Sequence, residues 1–164
     1  MLQEKIFNFL YSFGWDTRVL ITFLGTLPVT ELRASIPIGI LVLKENVKFV
    51  VFYSILGNLI PIAPIYFLLD PISKKLSKTP IMKRFFDWLF ARAKKRAGLI
   101  EKYEAIGLAL FVGIPLPGTG VWTGCLIASL LRMRFLPTFI AATIGVFIAA
   151  TIVTLLTLLG KLAF

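Results

Sequence analysis

The chain contains no histidine and a single cysteine, Cys125. Without histidine there is no histidine base for catalysis and no His-ligated metal site, and one cysteine cannot form a disulfide within the chain. The sequence also lacks a nucleophile–histidine–acid set, a zinc-ligand cluster and a phosphate-binding glycine loop followed by lysine. We therefore expect no enzyme, no catalytic residue, no bound metal and no cofactor.

Acidic residues are scarce, since 8 Asp and Glu stand against 18 Lys and Arg. Ten of the basic residues fall between Lys74 and Lys102. No aromatic-interleaved binding module accompanies them, so we expect no nucleic-acid partner. The chain is 58% hydrophobic with a mean hydropathy of +0.90. In such a chain a basic cluster suits the anionic head groups of membrane lipids.

Four apolar segments make up most of the sequence: 17–43, 47–69, 105–131 and 135–160. The second and fourth hold 23 and 26 residues without a charge. Both are long enough to span the ~30 Å hydrocarbon core of a bilayer. The first and third each hold 27 residues and are broken near the middle by prolines and glycines.

The two broken segments have the length of helical hairpins that enter and leave the membrane on one side. A straight helix of this length would reach ~40 Å, and two full crossings would need ~40 residues. Irregular backbone at membrane depth is tolerated inside protein or beside water. Hairpins would also place the basic region 74–102 on the same side as Arg132 and Arg134, which the positive-inside rule favours.

The sequence thus predicts an all-α integral membrane protein with two re-entrant helical hairpins and two transmembrane helices, arranged as an inverted repeat. Phe23-Leu24-Gly25 and then Pro28 are matched by Phe111-Val112-Gly113 and then Pro117. We expect one membrane domain over 1–164. It would contain an interfacial amphipathic helix in 1–16, a first repeat in 17–70, a basic amphipathic cytoplasmic linker in 71–104, and a second repeat in 105–164.

Two charged residues, Glu31 and Arg33, lie in the first break between Pro28 and Pro37. A charge at the centre of a bilayer costs at least ~2.5–3.5 kcal/mol, so such residues usually face a cavity or a partner. Glu31 is a candidate carrier of a proton or small cation. Arg33 keeps its proton and suits a fixed counter-charge or an anion binder. The alternative is a structural salt bridge or a helix cap.

The second break carries prolines and glycines in place of charge: Pro115, Pro117, Gly118, Thr119 and Gly120. Prolines lack a backbone donor and glycines permit unusual dihedrals. The half-helix that follows would direct its positive N-terminal end, lined by Trp122, to the membrane interior, where it could receive an anion. We expect the two breaks to meet near the membrane midplane. The alternative is a tight turn that packs the hairpin.

Three further polar residues are candidates for binding substrate or ions. Asn58 lies within the second segment and needs a partner there, although a kink caused by Pro61 and Pro64 would also account for this region. Arg132 and Arg134 lie at a membrane interface, where they would bind lipid phosphates or anchor the chain.

The two break motifs resemble those of a known family. Glu31-Leu32-Arg33-Ala34-Ser35-Ile36-Pro37, together with the run from Pro115 to Gly124, is similar to the small multidrug export protein family, which is related to the DedA/VTT-domain membrane proteins. The stretch from Arg132 to Gly145 resembles the end of the VTT pattern. The resemblance covers about residues 17–160.

The resemblance implies two facing re-entrant hairpins with inverted symmetry, often in a homodimer. DedA-type relatives are implicated in flipping polyprenyl-phosphate or other lipids with proton or sodium gradients. One departure is clear, because Gly113, Thr119 and Gly120 stand where DedA proteins carry arginines around the second break. Either Arg33 supplies that charge here or the substrate differs.

These observations predict a small membrane transporter or lipid flippase of the DedA-like type, coupled to protons or sodium ions, that moves an amphipathic or lipid-phosphate substrate. The expected location is the cell membrane, as a multi-pass protein of a prokaryotic cytoplasmic membrane. Three alternatives stay open: a passive scramblase or channel, a four-helix multidrug exporter, and a membrane scaffold that transports nothing.

Overall fold

The computed structural model describes residues 16–68, 83–84, 87, 91, 98–116 and 118–163. These described residues form helices and connecting turns without a β-strand, so the prediction of an all-α protein is confirmed for this part of the chain. The predicted interfacial helix in 1–16 and Pro117 lie outside it, except for Asp16. Within the predicted amphipathic linker, the described residues 83, 84, 87 and 91 are helical and exposed.

Contacts divide the chain into two compact units, Met1–Leu59 with Phe147–Phe164, and Ile60–Val146. The first unit contains helix α1 (Thr17–Thr26), helix α2 (Glu31–Pro37) with its π-helical continuation Ile38–Val42, and helix α3 (Val47–Leu59). The helices α1 and α2 pack against each other and against α3. Their largest fully buried side chains include Ile21, Ile36 and Val50.

The second unit contains a short helix α4 (62–68), helix α5 (Gly98–Gly113), helix α6 (Val121–Leu130) and the beginning of helix α7 (Phe135–Ala163). Helix α5 is kinked at Glu104, whose φ is 45°. Helix α6 packs against α5. The hydroxyl of Tyr66 on α4 donates to the carbonyl of Met133, and the hydroxyl of Ser129 on α6 donates to the carbonyl of Tyr66 at 3.0 Å.

Two stretches of helix are long and apolar enough to cross a membrane, Val47–Leu68 with 22 residues and Phe135–Leu162 with 28. The first contains a turn at residues 60 and 61, where Pro61 cannot donate a backbone hydrogen bond. Large apolar side chains such as Leu136, Ile144 and Leu156 on α7 are half or more exposed. The two predicted spanning segments therefore have the expected length and an exposed apolar surface that suits lipid.

Candidate functional site

The first break separates α1 from α2 and needs partners for the carbonyl groups at the end of α1. The last carbonyls of a helix have no N–H four residues further on, and lipid offers none. The amide Nδ2 of Asn58 on α3 donates to the carbonyl of Gly25 at 2.8 Å. The hydroxyl of Thr30 donates to the carbonyl of Leu24. The backbone N–H of Glu31 donates to the carbonyl of Leu27 at 3.1 Å. The break is thus a capped, ordered turn.

The chain folds back on itself at this break. A Cβ on Gly25 of α1 would lie 2.9 Å from the carbonyl of Ser54, and the hydroxyl of Ser35 on α2 donates to that of Ser54 at 2.8 Å. A straight helix would separate residues ten positions apart by ~15 Å. Since both contact the same residue of α3, α1 and α2 form a helical hairpin that lies on α3.

The two charged residues of the first break lie at the start of α2. Glu31 is buried, with 7% of its surface exposed, and its φ of 46° is in the left-handed region. A residue other than glycine in this region costs about 1–3 kcal/mol. Arg33 is half-buried and is attracted electrostatically to Glu31. The hairpin therefore holds a buried carboxylate, on strained backbone, beside a guanidinium.

The prolines that flank this break differ in their surroundings. Pro28 is exposed in the turn, whereas Pro37 lies inside α2 and is partly buried. A proline within a helix removes one backbone hydrogen bond. The π-helical turn Ile38–Val42 follows Pro37 directly, so the helix is loosened where that donor is missing.

The second break joins α5 to α6 and is built on backbone, as its sequence predicts. The hydroxyl of Thr119 lies 2.7 Å from the carbonyls of both Ile114 and Leu116. The left-handed φ values are 81° at Gly118 and 119° at Gly120, where glycine adds no strain. Pro115 is partly buried. The break is therefore an ordered turn closed by a threonine hydroxyl.

The second break also reverses the chain. A Cβ on Gly124 of α6 would lie 2.8 Å from Val112 and 3.0 Å from Leu108 of α5. Because these residues are 12 or more positions apart, α5 and α6 form a second helical hairpin. Trp122 is half-buried on its second arm.

The turn that leads into each long helix has the same backbone shape in both units. The φ of Lys44 is 55° and that of Arg132 is 54°. Three residues further on, Val47 begins α3 and Phe135 begins α7. Each pair is separated by 88 residues. Arg132 and Arg134, predicted to bind lipid phosphates or to anchor the chain, are both exposed.

A glycine at close approach also recurs at this distance. A Cβ on Gly57 of α3 would lie 2.2 Å from the carbonyl of Thr22 on α1, and one on Gly145 of α7 would lie 2.7 Å from the carbonyl of Ala109 on α5. Gly57 and Gly145 are again 88 residues apart. In each unit the long helix therefore touches the first arm of its hairpin backbone to backbone, which only glycine allows.

Residues 31–152 match a family model described as "Putative small multi-drug export protein". The chain belongs to this family. No curated protein and no solved structure matches it. The resemblance to the family is therefore confirmed, while the relation to DedA and VTT-domain proteins stays a prediction.

Family membership and the two long apolar helices together make this a membrane protein of a transporter kind. The matched region begins at Glu31, directly after the first break, and includes α2, the second break and most of α7. Glu31, Arg33 and Pro37 thus lie inside the region that defines the family, as does the second break, whereas Pro28 lies before it.

Sequence reasoning gave no role to Ser35 and Ser54, which are completely buried and bonded to each other. It also overlooked the close contact at Gly57. One signal was present, because Gly57 and Asn58 follow Ser54 by three and four residues and so lie on the same side of the helix as Ser54. Small and polar residues on one face of an apolar helix indicate contact with another helix.

Proposed function

We propose that this protein is an ion-coupled membrane transporter of the DedA-like type, multi-pass in the cell membrane, in which Glu31 is the coupling carboxylate. The observation that supports it most is the burial of Glu31, with 7% of its surface exposed, on strained backbone at a helix break. Burial of a carboxylate in an apolar segment and left-handed backbone both cost free energy. Ion coupling would explain why the protein bears both of these free-energy costs, because the Glu31 carboxylate would then bind and release a proton or a cation.

The proposed architecture has two re-entrant hairpins in an inverted repeat. Helices α1 and α6 have 10 residues each and would reach ~15 Å, half the hydrocarbon core. Each hairpin folds back beside its break, and matching turns and glycines recur 88 residues apart. These features support hairpins that enter and leave the membrane on one side.

Two chemistries of cargo follow from different observations. The guanidinium of Arg33, half-buried beside the break, suits a phosphate because it offers a planar set of donors. The family description, which names multi-drug export, points to drug molecules instead. We propose an amphipathic or lipid-phosphate substrate. The experiment below distinguishes a lipid phosphate from a small drug.

The decisive experiment measures transport in proteoliposomes for the wild type and Glu31→Gln. One arm follows NBD-labelled phosphatidylglycerol crossing the bilayer by its protection from dithionite, and the other follows uptake of ethidium. Each runs with and without an imposed proton or sodium gradient. We expect gradient-driven movement of one probe in the wild type and at least a tenfold loss in Glu31→Gln, because an amide cannot release a proton.

Folding is checked by comparing the elution volume and thermal midpoint of the two proteins. Wild-type rates in Glu31→Gln would rule out the carboxylate as the coupling group. Equal flux with and without gradients would instead identify a passive scramblase or channel. Movement of ethidium alone would assign the cargo to the drug class and exclude the lipid-phosphate substrate.

A further inference from the structure

A pair of hydroxyl groups joins the second arm of the first hairpin to α3. Ser35 and Ser54 are both 0% exposed, and their oxygens are 2.8 Å apart. Thr123 stands 88 residues after Ser35 and Ala142 stands 88 residues after Ser54, so the matching positions of the second unit hold one hydroxyl where the first unit holds two. The polar contact is therefore specific to the hairpin that carries the charged residues.

Ser35 and Glu31 share one face of α2. They are four residues apart in the same helix, so their side chains lie one above the other. The bond from Ser35 to Ser54 fixes how α2 is rotated about its own axis. Glu31 lies one helical turn before Ser35, so the same rotation of α2 places Glu31 in its buried position.

The second arm of the first hairpin also ends differently from that of the second hairpin. It ends in a π-helical turn, Ile38–Val42, whereas α6 is α-helical to its end at Leu130. The N–H of Leu43 reaches back five residues to Ile38 at 2.9 Å, whereas that of Leu131 reaches back four to Ile127 at 2.9 Å. A π-helical turn is the form that a helix takes around one extra residue.

The extra residue rotates the first part of α2. Each residue turns an α-helix by about 100°, so removing one residue from the π-helical turn would rotate Glu31 and Ser35 away from their present direction. Gly39 in this turn packs against Val50, where a Cβ would lie 2.5 Å from a methyl carbon. The π-helical turn therefore packs against α3 through Gly39. The part of α2 that precedes this turn contacts α3 through Ser35.

We propose that Ser35, Ser54 and the π-helical turn Ile38–Val42 position Glu31 for ion coupling by holding α2 in the rotation that buries its carboxylate. Both serines are positioning residues, since neither is required to touch the substrate. The inference rests on the proposed function. The charged and titratable residues of α2 and of the helices packed against it are Glu31 and Arg33 on α2, Arg18 on α1, and Lys48 and Tyr53 on α3.

The test measures the surroundings of Glu31 without measuring transport. Purified protein in liposomes is treated at one pH with dicyclohexylcarbodiimide, which reacts from the apolar phase, or with a water-soluble carbodiimide. Peptide mass spectrometry then gives the ratio of the two rates at Glu31. We expect Ser35→Ala and Ser54→Ala each to shift this ratio towards the water-soluble reagent by about fivefold, as expected for one lost hydrogen bond.

Three variants sharpen the result. The double variant should shift the ratio no more than either single one, because both remove the same bond. Ser54→Thr keeps the hydroxyl and should restore the wild-type ratio. Deletion of Leu41, an exposed residue of the π-helical turn, should shift the ratio further than either serine variant because it rotates α2.

The matched control is Ser129→Ala, which removes the part-buried hydrogen bond from α6 to the carbonyl of Tyr66 in the second unit and should leave the ratio at Glu31 unchanged. Ser54→Cys keeps nearly the same volume and serves if the alanine variant does not fold. Ratios within twofold of wild type in Ser35→Ala and Ser54→Ala would overturn the positioning role, while loss of transport in Glu31→Gln would still support the proposed function. If the ratio shifted in the serine variants but Glu31→Gln transported fully, the serines would keep their positioning role and Glu31 would lose its coupling role.

Discussion

The two hairpins share a backbone plan and differ in what holds them. In the first, side-chain hydrogen bonds join both arms to α3, from Asn58 to Gly25 and from Ser35 to Ser54. In the second, the two arms meet through apolar contacts, with Gly124 of α6 against Leu108 and Val112 of α5, and the hydroxyl of Ser129 donates to the carbonyl of Tyr66 on α4. The first hairpin is thus joined to its long helix by side-chain hydrogen bonds from both arms, whereas the arms of the second meet each other through close packing.

This difference matters because polar contacts can be exchanged for water or an ion at lower cost than apolar packing. A hydrogen bond within a protein contributes only ~1 kcal/mol net, since its groups can bond elsewhere. Close apolar packing has no such substitute. The side-chain hydrogen bonds between the first hairpin and α3 can therefore be rearranged at lower cost than the apolar contacts between the arms of the second hairpin.

The largest expected effect is in cysteine labelling, where each site either reacts or does not. It tests whether the two ends of each hairpin lie on the same side of the membrane. After Cys125→Ala, single cysteines replace the exposed residues Arg18, Lys44, Lys102 and Arg132. We expect residues 18 and 44 to react with an impermeant maleimide from one side of sealed vesicles, and residues 102 and 132 likewise to share a side. An inverted repeat further predicts opposite sides for the two pairs.

Labelling after detergent permeabilisation is the control, since every site should then react. If residues 18 and 44 reacted from opposite sides, the first hairpin would cross the membrane fully. The same result for residues 102 and 132 would reject the second hairpin and favour four full crossings.

The next effect compares the two close glycines. Gly57→Ala places a methyl 2.2 Å from a backbone carbonyl, whereas Gly145→Ala meets its neighbours at 2.6 and 2.7 Å. We expect a loss of about 3 kcal/mol for the first and about 1–2 kcal/mol for the second, from overpacking. Thermal unfolding followed by circular dichroism in detergent measures both.

Gly160→Ala is the matched control, because a Cβ there meets nothing within 4 Å. It should raise the thermal midpoint slightly, since alanine favours a helix by about 1 kcal/mol over glycine. An unchanged midpoint in Gly57→Ala would show that α1 and α3 do not approach each other this closely.

The smallest effect tests the polar side of the comparison. Asn58→Val introduces the residue found 88 positions later, Val146, and leaves the carbonyl of Gly25 without its amide donor. We expect a loss of about 1–3 kcal/mol in the free energy of unfolding. Urea or SDS titration of the purified protein measures it.

Thr151→Val is the control for this variant. Its hydroxyl is exposed and bonds to a carbonyl of its own helix at 2.9 Å, so its loss should cost less than about 0.5 kcal/mol. Equal stability of Asn58→Val and Thr151→Val would mean that the Asn58 amide does not hold the hairpin.

The positions of several helices were predictable, because the length and hydropathy of a segment and the effect of a proline on its helix are local properties of the sequence. The starts at Val47, Val121 and Phe135 follow directly from the apolar segments. The burial of Glu31 also followed from its place between Pro28 and Pro37. In contrast, the kink at Glu104 and the π-helical turn leave no clear trace in the periodicity.

The sequence alone determined which segments are apolar enough for a membrane and where their helices break, since transfer of side chains to lipid and missing backbone donors are local properties. Only the tertiary structure decided which side chains meet, as Ser35 meets Ser54 and Asn58 meets Gly25. The reason is rotational. One extra residue turns a helix by about 100°, and whether a π-helical turn takes it up depends on packing against a neighbour that lies far away in the chain.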